Sequence, residues 1–200
     1  QSFKIITKTV SIKSGVDNVL KSFNQSLENL RIESIDGLLI HNMEDTQDKK
    51  FDILYKKLNN LKQDKLINKI GFSTYTPQQV DFLLNNFDFD LIQVPFNVFD
   101  VRLIQGGQLR ALKNKSIEVH ARSVFLQGVL LDFNNLPNHF LTWQKQFERY
   151  QAMVHSSGLS LLEYALNFAL SINELDKVLV GVNNANQLID IINSSKASVG

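Results

Sequence analysis

Apolar residues in this chain fall into two kinds of cluster. The first is a short continuous run, best seen at Ile35–His41, which reads Ile-Asp-Gly-Leu-Leu-Ile-His. A run of this length, flanked by polar segments, predicts a strand buried on both faces. The second kind repeats every third or fourth residue. Val19, Leu20, Phe23, Leu27 and Leu30 predict an amphipathic helix over Asp17–Leu30, and Phe51, Leu54, Leu58 and Leu61 predict a second. Further strands are expected at Phe3–Lys8, at Leu66–Gly71 with Phe72-Ser73-Thr74 just past its end, at Asp90–Val94 and at Ile117–Arg122. The last is expected at Val178–Gly181. Thr76 followed by Pro77 gives a cap residue and a first-turn proline, opening a helix with Val80, Phe82, Leu83 and Leu84. Helices are also expected near Ile104–Leu112, over Trp143–Val154 and Ser160–Leu170 with a break at Ser156-Ser157-Gly158, and over Asn184–Ile192. Val124 to about Pro137 predicts an irregular stretch.

Strand and helix alternate about six times, which predicts an α/β fold of parallel strands joined by right-handed crossovers. An open doubly wound sheet would place a glycine-rich G-x-G-x-x-G turn after its first strand, and none is present. A parallel barrel fits better, but a closed barrel takes eight units and about 250 residues. The expectation is therefore one domain over residues 1–200, an incomplete barrel of about six βα units with the N-terminal two missing. Unpaired strand edges on such a piece leave self-association open.

Composition narrows the chemistry. The 200 residues are 44% hydrophobic, enough for a sizeable core. Twenty-one Lys and Arg against 20 Asp and Glu give a net charge of +1, which does not call for nucleic acid or an anionic membrane. Cysteine is absent, which removes disulfides, thiolate chemistry and cysteine zinc sites and makes a cytoplasmic location the default. No apolar run approaches the roughly 20 residues that span a bilayer. His120, His139 and His155 have no partner at ligand spacing, so no metal site is expected.

Candidate chemistry gathers where the predicted strands end. Lys8, His41, Ser73, Gln93, Arg122 with Ser123, and Gly181 with Asn183 all fall there. Each has a plain structural role available, such as a solvated lysine or a histidine that finishes a strand. Taken together they would form a polar rim at the mouth where parallel barrels carry their sites.

The ordered set of segments resembles the aldo/keto reductases. It runs through Ile6-Thr7-Lys8, Ile35–His41, Lys69-Ile70-Gly71-Phe72-Ser73, Gln93-Val94-Pro95-Phe96-Asn97, Ala121–Gly128 and Val180-Gly181-Val182-Asn183. The resemblance implies a (β/α)8 TIM barrel, entered at about its third strand, that binds a nicotinamide cofactor and reduces small-molecule aldehydes or ketones by hydride transfer. By the same resemblance Lys8 is the catalytic lysine, which lowers the pKa of a proton-donating tyrosine. His41 orients the carbonyl and helps hold its developing charge. Ser73 and Gln93 would bind the nicotinamide carboxamide. Ser123, Phe125, Gln127 and Gly128 would follow the pyrophosphate. Gly181, Asn183 and Gln187 would lie near the adenosine phosphate, at a helix start that suits an anion.

Several positions depart from the family pattern. The tyrosine and its paired aspartate have no counterpart in this chain, and Tyr75 is not at the family position. Arg122 stands where most members stack a tyrosine on the nicotinamide; a guanidinium can also stack on a flat ring. Ser73-Thr74 replaces Ser-Asn. The turn Asn183-Asn184-Ala185-Asn186-Gln187 lacks the basic residue that meets the 2′-phosphate of NADPH, so NADH stands beside the family's usual NADPH. The alternative function is a non-catalytic, cofactor-binding or regulatory barrel. The substrate pocket is expected from Glu44–Lys50 and Asp132–Thr142, with Phe133, Phe140 and Trp143 as its apolar wall or as core.

Overall fold

The computed structural model describes residues 3–133, 136 and 138–197. In chain order the strands and helices are β1 (Ile6–Lys8), α1 (Val16–Leu30), β2 (Ile35–Ile40), α2 (Phe51–Gln63), β3 (Ile67–Ser73), α3 (Pro77–Asn86), β4 (Leu91–Pro95), α4 (Arg102–Gln105), α5 (Gln108–Asn114), β5 (Glu118–Arg122), α6 (Gln144–Ser157), α7 (Leu161–Leu170), β6 (Lys177–Val178) and α8 (Ala185–Ser194). This is an α/β fold with six strands, parallel wherever their pairing is described. The chain divides into two compact units, residues 1–94 with 106–119 and residues 95–105 with 120–200.

In the first unit β1, β2, β3 and β4 pair in chain order. The Glu118 N–H adds the start of β5 by donating to the Asp90 carbonyl at 2.9 Å. Leu38, Leu39, Ile40, Ile70, Phe72, Leu91 and Ile92 are all buried, as continuous apolar runs require. Helices cover this sheet with Val19 and Phe23 of α1, Phe51, Leu54 and Leu58 of α2, and Val80 and Leu83 of α3. Thr76 caps α3 by accepting the Gln79 N–H, with Pro77 in the first turn. At the amino ends of the strands lies an ionic cluster. The Lys69 ammonium sits 3.0 Å from Asp36 Oδ2 and 2.6 Å from Glu118 Oε2. Burial pulls the Lys69 pKa down, but its hydrogen bonds to Glu118 and Asp36 outweigh that and hold it above the usual lysine value.

In the second unit β5 pairs with β6 through His120–Lys177 and Ala121–Val178. Leu130, Phe147, Tyr150, Val154 and Ala165 form its core, with Phe133 and Phe140 packed against them. Those two phenylalanines are thus core rather than a free apolar wall, while Trp143 is 55% exposed. Ser160 and Glu163 make a reciprocal capping box at the start of α7. The Asn167 side chain of α7 donates to the Ser194 carbonyl at the end of α8, at 2.7 Å.

Three boundaries differ from the sequence expectation. The helix expected near 104–112 is two short helices, because Gly107 turns left-handed at φ +79° and restarts the chain. The helix α6 continues through Ser157 and ends at Gly158, whose φ of +73° forms its C-cap. The last strand is only two residues long. Leu179 still donates to the Ala121 carbonyl, and then the backbone leaves β5, so Val180 and Gly181 are not strand residues. Of the candidate loop at 132–142, Asn134, Asn135 and Pro137 lie outside the described residues.

Candidate active site

The ladder register of the first unit lines up its candidate residues. Lys8 pairs with Leu39, Leu39 with Gly71, and Ile40 with Phe72. One step further come His41 and Ser73, and Ser73 pairs with Gln93. Lys8, His41 and Ser73 therefore lie at the carboxyl ends of three successive parallel strands, and Gln93 sits beside Ser73 in the middle of the fourth. Thr9 ties the first two together: its N–H donates to the Leu39 carbonyl at 2.8 Å, and its hydroxyl accepts the His41 N–H at 3.3 Å. Asp45, just past His41, is 2% exposed and accepts from the Ser11 hydroxyl at 2.8 Å and the Ile12 N–H at 3.1 Å. This carboxylate pins the loop after β1 to the turn after β2, and so fixes the backbone on both sides of Lys8 and His41.

Ser73 is fully buried, and its hydroxyl has no hydrogen-bond partner among the described residues. Leaving such a group unsatisfied costs about 1–3 kcal/mol. An orphan hydroxyl at a strand end, paired in register with the 7%-exposed amide side chain of Gln93, fits a bound polar group such as a carboxamide.

The second unit holds a cavity of about 490 Å³, within the usual range for cofactor sites. Ser123, Phe125, Gln127 and Gly128 line it from the segment after β5. Gly181, Asn183 and Gln187 line it from the far side. Seven residues selected from the sequence thus share one hollow. The Ser123–Gly128 backbone is unusual: Ser123, Leu126 and Gln127 have φ of +59°, +47° and +56°, and Gly128 has +92°. Left-handed conformations at non-glycine residues persist only where the surroundings hold them. Asn97, 2% exposed, is one such hold. Its amide donates to the Ser123 carbonyl at 3.2 Å, and its Oδ1 accepts the N–H groups of Phe99 at 2.9 Å and Asp100 at 3.1 Å. A Cβ added to Gly128 or Gly181 would meet nothing within 4 Å, so the wall is open at both for close approach of a bulky anion. Arg122, the last residue of β5, reaches the Ser123 hydroxyl with Nη1 at 3.4 Å.

Two features of the cavity were not legible in the chain. Asp190 lines it from α8, one turn beyond Gln187. The helical spacing of Gln187, Asp190 and Ile191 was the available signal. At the start of α8 two backbone donors are also already engaged. Asn184 Oδ1 accepts the Gln187 N–H at 2.9 Å, and Gln187 Oε1 accepts the Asn183 N–H at 2.8 Å. Among the described residues, no group of three or more His, Cys, Asp or Glu side chains is arranged to hold a metal ion, and no helix is long and apolar enough to cross a membrane.

Strands and helices alternate as in a parallel α/β scaffold, with polar residues gathered toward its strand ends. The chain belongs to the aldo/keto reductase family, whose model matches residues 1–199. It is 26% identical over 196 residues to the L-galactose dehydrogenase of Arabidopsis thaliana, covering 92% of this chain and 61% of that protein. It is 31% identical over 130 residues to the glyoxal reductase of Bacillus subtilis, covering 64% of this chain and 45% of that one. The chain thus spans less than two thirds of the length of these relatives. In structure it resembles the holo form of aldo-keto reductase AKR11C1 from Bacillus halodurans, with a TM-score of 0.76 and 19% identity over 98% of this chain and 67% of that one. That likeness shows the fold.

Proposed function

We propose that the protein is an NAD(P)H-dependent carbonyl reductase, and that its six βα units are part of a (β/α)8 barrel. The observation that carries this reading is the register of Lys8, His41 and Ser73 at consecutive strand ends with Gln93 beside Ser73, the buried Ser73 hydroxyl having no partner among the described residues. When bound, the reduced nicotinamide supplies the hydride. The chain's own residues position and polarise. Ser73 and Gln93 hold the carboxamide, which fixes the ring face. Arg122, whose guanidinium hydrogen-bonds Ser123, would offer a flat cation able to stack on a bound ring. Ser123, Phe125, Gln127 and Gly128 hold the pyrophosphate, and Gly181, Asn183 and Gln187 the adenosine end. His41 steadies the carbonyl oxygen as negative charge grows on it. The ammonium of Lys8 lowers the pKa of the phenolic proton donor that the family reading requires. The substrates are small aldehydes or ketones, in keeping with the glyoxal reductase among its relatives.

The test is Lys8→Met in the full-length protein. Aldehyde reduction should fall at least about 100-fold in kcat, the usual worth of general acid–base assistance, while the reduced cofactor still binds. A kcat within about threefold of wild type would remove Lys8 from the mechanism.

A further inference from the structure

Past the ends of β1 and β2 the ladder no longer fixes the chain. Its last rung joins Lys8 to Leu39, and His41 lies beyond β2. Two side chains take over there. The first is Thr9, whose hydroxyl accepts the His41 N–H. The second is the buried carboxylate of Asp45. Its Oδ1 accepts the Ser11 hydroxyl and its Oδ2 the Ile12 N–H, so both oxygens are spent on the loop after β1. The Asp45 backbone is itself held, its N–H donating to the Asn42 carbonyl at 3.0 Å and its carbonyl accepting the Asp48 N–H at 3.1 Å. The receiving loop is equally ordered, with Ser11 capping the turn Ile12–Ser14 and Ile12 buried within it. The Lys13–Glu44 pair between the same two segments is 74% and 84% exposed, so it contributes little. Burying a carboxylate is costly, and two hydrogen bonds to the opposite loop offset that cost here. An apolar side chain would not fix the two loops to one another.

From this we infer that Asp45 is a positioning residue for the reaction: it acts through the loops after β1 and β2 to hold Lys8 and His41 at one separation. The inference rests on the reductase reading above. In that reading Lys8 bears on the proton donor and His41 on the carbonyl oxygen. A loop that drifts by about 1 Å misaligns both, and errors of that size cost up to about 100-fold in rate. Ser73 and Gln93 stand on β3 and β4, whose own ladder holds them, so the dinucleotide should bind as before. The signature is a loss of kcat without a loss of dinucleotide affinity. Asparagine is the informative replacement. Its amide oxygen can accept the Ile12 N–H and its amide nitrogen can donate to Ser11 Oγ, which keeps the tie and removes the charge.

The experiment measures kcat with the best-reduced of a panel of small aldehydes, and the Kd of NADPH and NADH by fluorescence titration. It compares full-length wild type with Asp45→Ala, Asp45→Asn and Lys69→Met. The last is the stability control, because its ionic cluster lies at the amino ends of the strands. Asp45→Ala should lose at least about tenfold in kcat with Kd within about twofold of wild type. Asp45→Asn and Lys69→Met should keep kcat within about threefold. Three results would overturn the inference and leave the reductase reading standing: Asp45→Ala within about threefold of wild type in kcat, Asp45→Asn as slow as Asp45→Ala, or dinucleotide affinity falling in step with kcat. If Asp45→Ala does not fold, Ser11→Ala takes its place, since it removes one of the two bonds. It should lose at least about threefold in kcat, and an unchanged kcat in folded Ser11→Ala overturns the inference as well. A wild type that reduces none of the aldehydes would overturn the two readings together.

Discussion

Gly71 lies in the middle of β3, paired with Leu39 on one side and Leu91 on the other, two residues before Ser73. A methyl group at this position would sit 2.2 Å from the Leu91 carbonyl oxygen, 2.9 Å from its carbonyl carbon and 2.7 Å from Leu39 Cδ2. Side-chain ends can rotate away, but the Leu91 carbonyl belongs to the sheet backbone. Its strand is held nearby by the Asp90 N–H on the Ile70 carbonyl at 2.9 Å and by the Thr74 N–H on the Gln93 carbonyl at 3.0 Å. Relief requires β3 and β4 to part by about 1 Å, which forfeits much of the packing between them. Overpacking of a tight core costs about 1–3 kcal/mol, and a backbone clash belongs at the upper end. Gly71→Ala regains about 0.4–1 kcal/mol from the stiffer unfolded chain. The net loss is about 2 kcal/mol. Gly37→Ala is the internal control: its nearest neighbours are the Leu91 Cδ2 at 3.0 Å and Ile6 Cγ1 at 3.3 Å, both side-chain atoms, so it should lose under about 1 kcal/mol. In urea, with a slope of about 2 kcal/mol per M, Gly71→Ala should lower the midpoint by about 1 M. Its cofactor affinity should fall too, because the displaced strand carries Ser73. A midpoint no lower than that of Gly37→Ala would refute the reasoning.

The ionic cluster and the Asn97 clamp give two further outcomes. Lys69→Met leaves Asp36 and Glu118 facing each other without their cation. Because the three side chains are 11–23% exposed, the loss should be about 2 kcal/mol, short of the 3–5 kcal/mol of a fully buried pair. The Lys69 pKa is raised in the folded state, so its contribution is complete below the ordinary lysine value of about 10.4 and is lost as pH rises through the folded value. Between about pH 7 and about pH 10 urea curves should show a constant gap from wild type, closing above that range as Lys69 loses its proton; a gap that already closes between about pH 7 and pH 9 contradicts this. Asn97→Ala leaves the Phe99 N–H without its acceptor, while the Asp100 N–H keeps the Asn97 carbonyl at 2.9 Å, and it frees the Ser123 backbone. It should cost about 2 kcal/mol in urea unfolding and weaken dinucleotide binding about tenfold by fluorescence titration. Stability lost with affinity intact would separate Asn97 from the cavity.

Much of the architecture was written in local patterns. The run Ile35–Ile40 becomes a buried strand, and the Val19–Phe23 and Leu54–Leu58 spacings become helix faces, because burial side and periodicity are set by neighbouring residues. The order of the strand ends was legible as well, so Lys8, His41, Ser73 and Gln93 could be chosen before their register was known. What was not legible depends on partners far along the chain. Val178–Gly181 has the composition of a strand, yet the ladder stops at Val178 because pairing needs a neighbour and the backbone turns away to wall a cavity. Asp45 looked like part of a variable loop, and only Ser11 and Ile12, more than 30 residues away, make it a buried clamp. The anion-ready start of α8 was a sound general expectation. There Asn184 and Gln187 already accept the N–H groups of Gln187 and Asn183, pairings that only the folded turn reveals. Ser160-x-x-Glu163, by contrast, carries a capping box in the sequence itself.

The central claim is that the strand ends of this protein direct hydride transfer to a carbonyl. The most direct measurement supplies the full-length protein with reduced dinucleotide deuterated at the transferring carbon of the nicotinamide, together with an aldehyde, and follows the label by mass spectrometry. The account predicts one deuterium bound to carbon in the alcohol product, and labelled alcohol formed at least about 100-fold more slowly by Lys8→Met. Alcohol formed without the label, or label delivered equally well by Lys8→Met, would contradict it.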